Sequence, residues 1–520
     1  VGLGMLILTV LGHRYHYFFD TFAFHIPLMW SDFIGMGNEP QLLWVRATHL
    51  LFGLGCIALT PLFSSRLSQS NWANGTTALL AIACLSGAIW SASTYWQDRW
   101  QAQEYRAALR AARERAASLA APTIRRCRLQ VEHQGHRLSA VAELVVANDN
   151  TEPLDTLVFT LNPGLVIDDI TQAGTSLAFH RQEHVVHVAA GRPLAAGDSC
   201  SVRLRYSGTI DERFCYLDVE RKRLQQGYRF WLHSVAKVYA VVRPEYLHLT
   251  AESGWYPRGG LPPGTAFPAA GHREYANYEI QVGVPPGWTA FSQGEARVDS
   301  VTGTYHFRSQ TPLPQVSLTM GRYETRSIDV EGISYRLAFH PGHDYFDSYL
   351  DSVAEALPEL IPELKNEYEA ALGLSYPHQR LSLVEVPIQL YAYQRLWTVA
   401  QESVQPELVF LSEMGVLCDG ADFRRQRRRS RASQERANQA ETAKDLQSDY
   451  LRTFVTLDLT GLQAPDFSQI RNNSSVATRY LILPNYVSYV THLSSGRWPV
   501  LNTAFESYFR ERVAPPQNTQ

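Results

Sequence analysis

Apolar positions crowd the first fifth of the chain and thin out sharply after it. Leu42 to Phe63 stays apolar for about the 20 residues that a helix needs to cross a bilayer. Arg46 and His49 sit near its start, where a long arginine side chain reaches the headgroups. Thr77 to Trp96 carries no charge and ends in Tyr95-Trp96, an aromatic pair of the kind found at membrane–water interfaces. Val1 to Gly12 reads as the last turns of a third such segment. Core helices of a soluble protein are the competing reading, but two such spans in succession are rare in soluble folds. The stretch from His13 to Gln41 holds Tyr15, Tyr17, Phe18, Phe19, Phe22, Phe24 and Trp30. That aromatic density predicts a half-inserted or interfacial position.

The period changes twice further on. Residues 97–121 are rich in Ala and Arg, strong helix formers, and Pro122 closes them. From Arg125 the apolar residues alternate: Leu129, Val131, then Ala140 to Val146, followed by the turn cluster Asn148-Asp149-Asn150. Further strands are predicted at Leu157–Leu161, His184–Val188, Ser201–Tyr206, Tyr278–Val284, Gly303–Ser309 and Val316–Tyr323, with Gly, Pro, Asn and Asp between them. Many short strands at this spacing indicate a β-sandwich over about 123–327. Near Ile333 a third regime begins. Phe346 to Leu372 has helical spacing with Pro358 and Pro362 as breaks or kinks, and Leu381 to Pro387 reads as a strand.

Composition alters this picture little. At 520 residues the chain exceeds one hydrophobic core. A net charge of -3 gives no global reason to expect nucleic acid as a partner. Arg99, Arg106, Arg110, Arg113 and Arg115 follow the second span, whereas Ser64–Thr76 offers only Arg66. The positive-inside rule then leans the soluble region toward the cytoplasm, although a basic helix lying on a membrane surface gives the same pattern. The six cysteines are scattered singly, so buried free thiols are the expectation, with a Cys200–Cys215 disulfide left open. The chain opens at Val1 inside an apolar run with no signal-peptide features, and it stops at Val513-Ala514-Pro515-Pro516 without a closing element. The first end leads to the expectation of a fragment with further membrane helices upstream, and the second to the expectation of truncation there as well.

Candidate chemistry is sparse. No H-E-x-x-H, no phosphate-binding loop and no G-x-S-x-G elbow occurs in the 520 residues. His184 and His187 lie three apart on a strand and so face opposite ways; His133 and His136 meet the same objection. His340-Pro341-Gly342-His343 is a turn, where a metal site is the minor reading. Arg424, Arg425, Arg427, Arg428, Arg429 and Arg431 form a dense basic run. Without interleaved aromatics it is a solvated insertion or a contact for anionic lipid, not an RNA reader.

Several blocks nonetheless resemble the aminopeptidase N family of zinc metallopeptidases. Pro312 through Glu324 looks like the last strand of that family's β-sandwich. Tyr368 through Leu372-Gly373-Leu374-Ser375-Tyr376-Pro377 and Leu381–Pro387 look like the helix, turn and strand opening its thermolysin-like domain. In that family a G-x-M-E-N strand holds the substrate's amino group through its glutamate. Thr398 to Ser403 is the corresponding stretch here, and only Glu402 matches, so Glu402 is a weak substrate-amine candidate beside an ordinary strand carboxylate. The zinc helix expected after it is replaced by the arginine run. Membrane helices ahead of such a region resemble a bacterial ABC-transporter permease fused to a peptidase-like domain.

The resemblance implies a multidomain chain: transmembrane α-helices (1–96), a connecting basic helix (97–122), a β-sandwich (123–327) and an incomplete or degenerate α+β thermolysin-like domain (328–520). The missing H-E-x-x-H leaves no catalytic residue, metal or cofactor expected in this chain. The implied partners are membrane lipid, a separate ATPase subunit and further permease helices, in the bacterial cytoplasmic membrane. The alternative is a membrane-anchored zinc aminopeptidase whose metal motif lies outside these residues.

Overall fold

A computed structural model describes residues 17–20, 26–63, 71–225, 228–230, 233–261, 275–344, 357–373, 375–393 and 404–413. By contact the chain divides into two units. The first comprises Val1–Trp30, Gly35–Ala108 and Gln225–Lys237, and the second Ser31–Ile34, Leu109–Leu224 and Val238–Gln520.

Two helices make up most of the first unit, Glu39–Phe63 and the first part of Asn71–Ala116, and both are long and apolar enough to cross a membrane. They meet through small residues. A Cβ on Gly55 would fall 2.8 Å from the Leu85 side chain, and one on Gly87 would fall 3.2 Å from Leu51. Thr48 donates to Ser91 (3.0 Å), Ser91 donates to the Trp44 carbonyl (2.9 Å), and Trp44 packs edge-on against Trp90. Close backbone approach with a few interhelical hydrogen bonds is how helices associate where lipid removes the hydrophobic drive. The remaining faces expose Leu43, Leu50, Ile57, Leu79, Ile82 and Ile89. Such faces are costly in water and cost nothing in hydrocarbon.

The second helix departs from expectation, because it runs unbroken from Asn71 to Ala116 where the sequence suggested a separate element from 97. The polarity switch at Gln97-Asp98-Arg99 marks a change of surroundings, and nothing there breaks a helix. Arg110, in the second unit, donates to the carbonyls of Leu217 (2.6 Å) and Val219, and Arg113 lies 3.8 Å from Asp218. Two of the arginines counted toward membrane orientation are therefore engaged by protein.

The second unit is β-rich. One eight-stranded sheet runs, in spatial order, Glu295–Asp299, Thr304–Arg308, Asn277–Gly283, Thr123–Gln134, Arg137–Ala147, Ser199–Gly208, Leu165–Gln172 and Thr175–Ser176. Its inward residues, among them Leu129, Val131, Leu144 and Leu204, share one core with Leu157, Phe159, Val186 and Val188 of a four-stranded sheet. The burial of Arg137–Ala147 alternates strictly, as expected for a strand with one face on a core. Cys200 and Cys215 are both free thiols, so the disulfide left open above is absent.

A five-stranded sheet follows, ordered Glu324–Val330, Ile333–Phe339, Arg380–Val386, Leu408–Ser412 and Val404–Gln405. Its three central strands run parallel. Parallel neighbours require a crossover, and between the first two of them lies the helix Leu357–Leu372. Pro358 falls in that helix's first turn, where a missing N–H loses no bond. Val384, Val386 and Phe410 pack to one side of the sheet, and Leu381, Val409 and Leu411 to the other.

Candidate functional site

The three parallel strands bring their carboxyl ends to one edge, and polar residues collect there. His343 lies in the turn after Ile333–Phe339, held by its own N–H on the His340 carbonyl (2.9 Å). Glu385 is the next-to-last residue of its strand and is fully buried. Glu413 directly follows Leu408–Ser412, and its N–H donates to the Val386 carbonyl (2.8 Å). Crevices at the carboxyl ends of parallel strands are where open α/β sheets commonly place ligands.

A fourth component comes from Ser31–Ile34. The Ser31 hydroxyl accepts from the N–H groups of Phe33 (3.1 Å) and Ile34 (3.3 Å), which curls the segment tightly. Phe33 is buried against Tyr246, Tyr323 and His340, with ring centroids 4.9, 5.6 and 4.8 Å away. The Arg243 guanidinium donates to the Ile34 carbonyl. Phe33 thus sits inside a protein core, in place of the interfacial position expected for its aromatic stretch, because the β-rich unit offers it three aromatic partners.

This segment carries Asp32 to the sheet edge. Nδ1 of His343 lies 2.9 Å from both carboxylate oxygens of Glu385, and Nε2 lies 3.0 Å from Oδ2 of Asp32. Glu413 accepts from the N–H groups of Asp32 and Ile388, both at 3.1 Å. Glu385 also accepts from the His340 N–H (2.7 Å), and its carbonyl accepts from the Tyr323 hydroxyl (2.8 Å). Ligand atoms of Asp32, His343 and Glu413 all lie within 4.8 Å of one another. Burial lifts the Glu413 carboxyl to about 7, against the hydrogen bonds that favour its charge. For His343 burial pulls downward, but the hydrogen bond and charge of Glu385, then Asp32, outweigh it and carry the imidazole to about 9.

Asp32, Phe33 and His340 also border a cavity of about 440 Å³, with Glu245, Arg322 and Trp288 among its walls. The Asp32 side chain is 44% exposed, so the cluster is open on that side. Chemically the group can hold a cation between imidazole and carboxylates, or share a proton as an ion-paired imidazolium.

No family model matches the chain, and no curated protein does. Among solved structures, similar ones include the M1 zinc metallopeptidase from Deinococcus radiodurans, 14% identical, covering 77% of this chain and 97% of that one with a TM-score of 0.41. A two-domain M1 zinc metallopeptidase variant bound to L-tryptophan is 15% identical, with the same coverages and a TM-score of 0.42. Likeness at this level assigns no site and no activity.

The residues singled out from sequence fall elsewhere. Glu402 and the arginines Arg424, Arg425, Arg427, Arg428, Arg429 and Arg431 lie outside the described residues. His184 is buried against Phe214, and His187 pairs with His180 across strands, so the two do not chelate together. Sequence reasoning touched His343 but missed its partners. Glu385 and Glu413 had a readable signal, since each is a lone carboxylate in an otherwise apolar strand or at its end, an environment that rarely buries an acid without a partner. Asp32, 311 residues from His343, had none.

Proposed function

We propose that this chain is an integral membrane component of an ABC-type transporter, its helices the end of a permease and its β-rich region a non-catalytic, aminopeptidase-like domain for binding or assembly. The observation carrying this reading is a pair of closely packed helices with apolar outer faces, on the same chain as a large β-rich body whose sequence contains no H-E-x-x-H. Without the two ligand histidines and the general base, neither the metal nor the activated water of a zinc peptidase has a place. The sequence blocks described above support the aminopeptidase-like, thermolysin-type outline. Energy for transport would come from a separate ATPase subunit, because the chain has no phosphate-binding loop. The arginine run at 424–431 would face anionic headgroups of the bacterial cytoplasmic membrane.

The test combines three measurements on the full chain expressed in bacteria. Resistance to carbonate extraction, co-purification of an ATPase and no turnover of aminoacyl-p-nitroanilides are expected. Extraction into the soluble fraction removes the permease reading, and hydrolysis that is lost on chelation removes the non-catalytic one.

A further inference from the structure

We propose that Asp32, His343 and Glu413 bind one divalent cation of the zinc or manganese class, with Glu385 orienting the His343 ring. The argument begins with the imidazole. Glu385 is a carboxylate and can only accept, so the proton facing it belongs to Nδ1. Nε2 of a neutral ring then turns its lone pair toward Asp32 Oδ2 at 3.0 Å, a repulsive contact unless something positive lies between them. A proton would serve, and so would a metal ion. Charge separates the two. Three carboxylates converge here, and two of them, Asp32 and Glu385, pair with His343. Asp32 and Glu385 alone carry two negative charges, so one imidazolium leaves excess negative charge in a largely buried cluster, where uncompensated charge is costly. A dication supplies twice as much.

Geometry and chemistry agree with a cation. Ligands bonded at about 2.1 Å stand roughly 3.4 Å apart at tetrahedral angles and roughly 3.0 Å apart at the right angles of an octahedral site; Nε2 and Oδ2, 3.0 Å apart, match the octahedral spacing and need to part by about 0.4 Å for a tetrahedral ion. A ligating histidine usually hands its other N–H to a carboxylate, which fixes the tautomer and raises its basicity, and Glu385 stands in that place. One imidazole with two carboxylates suits zinc or manganese better than softer or all-oxygen ions. The half-exposed Asp32 and the adjoining cavity give an entry path and room for water ligands. The bound ion would act as a clip, joining residues 381 positions apart and fastening Ser31–Ile34 to the sheet edge.

The experiment uses the full chain in detergent, stripped with chelator and titrated with Zn²⁺ or Mn²⁺. Metal content and thermal midpoint are the readouts. About one ion per chain, a raised midpoint, and loss of both in Asp32→Asn and His343→Gln are expected. Glu385→Gln should keep the stoichiometry and weaken affinity by roughly ten- to hundredfold. Co²⁺ bound to the unmutated chain should show visible d–d bands from a nitrogen–oxygen ligand set, a readout that depends on no variant's folding. Absence of bound metal in the unmutated chain, or binding unchanged in Asp32→Asn and His343→Gln, overturns the proposal and leaves an ion pair. Neither result bears on transport or peptidase activity, so this inference and the proposed function fail separately.

Discussion

His248 and His343 bury an imidazole in opposite ways. Among the described residues His248 has no charged partner: Nδ1 meets the Thr319 hydroxyl at 2.8 Å, Phe410 lies edge-on, and burial holds the ring neutral with its pKa near 3. In the unfolded chain the same ring titrates at about 6.5. Between those values the unfolded state binds the extra proton, so stability rises with pH across the window and falls on acidification. From pH 7 to pH 5 this one residue should remove about 2 kcal/mol, a loss that His248→Gln should escape. Denaturant midpoints of both proteins at the two pH values check it; parallel losses would show that the native ring is charged or that another group dominates. Glu385 presents the reverse case. Glu385→Ala strips the partner from His343 Nδ1 and the acceptor from the His340 N–H, and should cost about 3–5 kcal/mol, as breaking a buried ion pair does. Thermal unfolding measures it. Of this site the sequence disclosed one histidine in a turn and two acids misplaced among apolar neighbours; which of them meet depends on three parallel strands ending together, a property of pairing that no local pattern encodes.

At the scale of elements, the two apolar helices approach most closely where Gly55 meets Leu85. A Cβ at Gly55 would meet the Leu85 side chain at 2.8 Å and its backbone nitrogen at 3.4 Å, so a residue as large as leucine has no room without displacing Leu85 or the helix that carries it. Thr48 and Ser91, with hydroxyls 3.0 Å apart, report that separation. With Cys56 and Cys84 replaced by alanine, Thr48→Cys and Ser91→Cys should form a disulfide readily under mild oxidant. Adding Gly55→Leu should cut its yield several-fold, read on non-reducing gels; an unaffected yield would mean the helices do not pack at that point. These helices were legible because a span of apolar residues leaves few alternatives, and six predicted strands of the β-rich unit lie within a few residues of observed ones. Strands such as Glu324–Val330 were not, since only its last residue is buried and alternation never appears. The extension of the second helix to Ala116 escaped for a different reason: the sequence registers a change from apolar to charged surroundings and is silent about helix continuity where every residue is a helix former.

For the whole molecule, chain order and compactness part company at Ser31–Ile34. Both flanks of this segment group with the helices, while the segment itself groups with the β-rich unit. Phe33 and Ile34 complete a small core with Val238, Val241 and Tyr246, and the Asp32 N–H satisfies a buried Glu413 oxygen. A fragment beginning at Leu109 would lack all three contributions. It should expose the Phe33 site, leave Glu413 one donor short, and melt below the corresponding transition of the full chain. Burial of one phenylalanine is worth about 3 kcal/mol or more when lost, enough to shift a midpoint by several degrees. A synthetic peptide covering residues 29–36 should restore much of the loss when added in excess, because it binds only the folded form and stabilises it by mass action. The same peptide with Phe33→Ala should restore little. Equal melting of fragment and full chain would show that the β-rich unit is complete without the segment, and rescue by the Phe33→Ala peptide would shift the weight of the contact from the aromatic ring to Asp32. The pattern expected, rescue that depends on Phe33, would make a four-residue turn from the helical N-terminal part of the sequence an integral part of the β-rich fold.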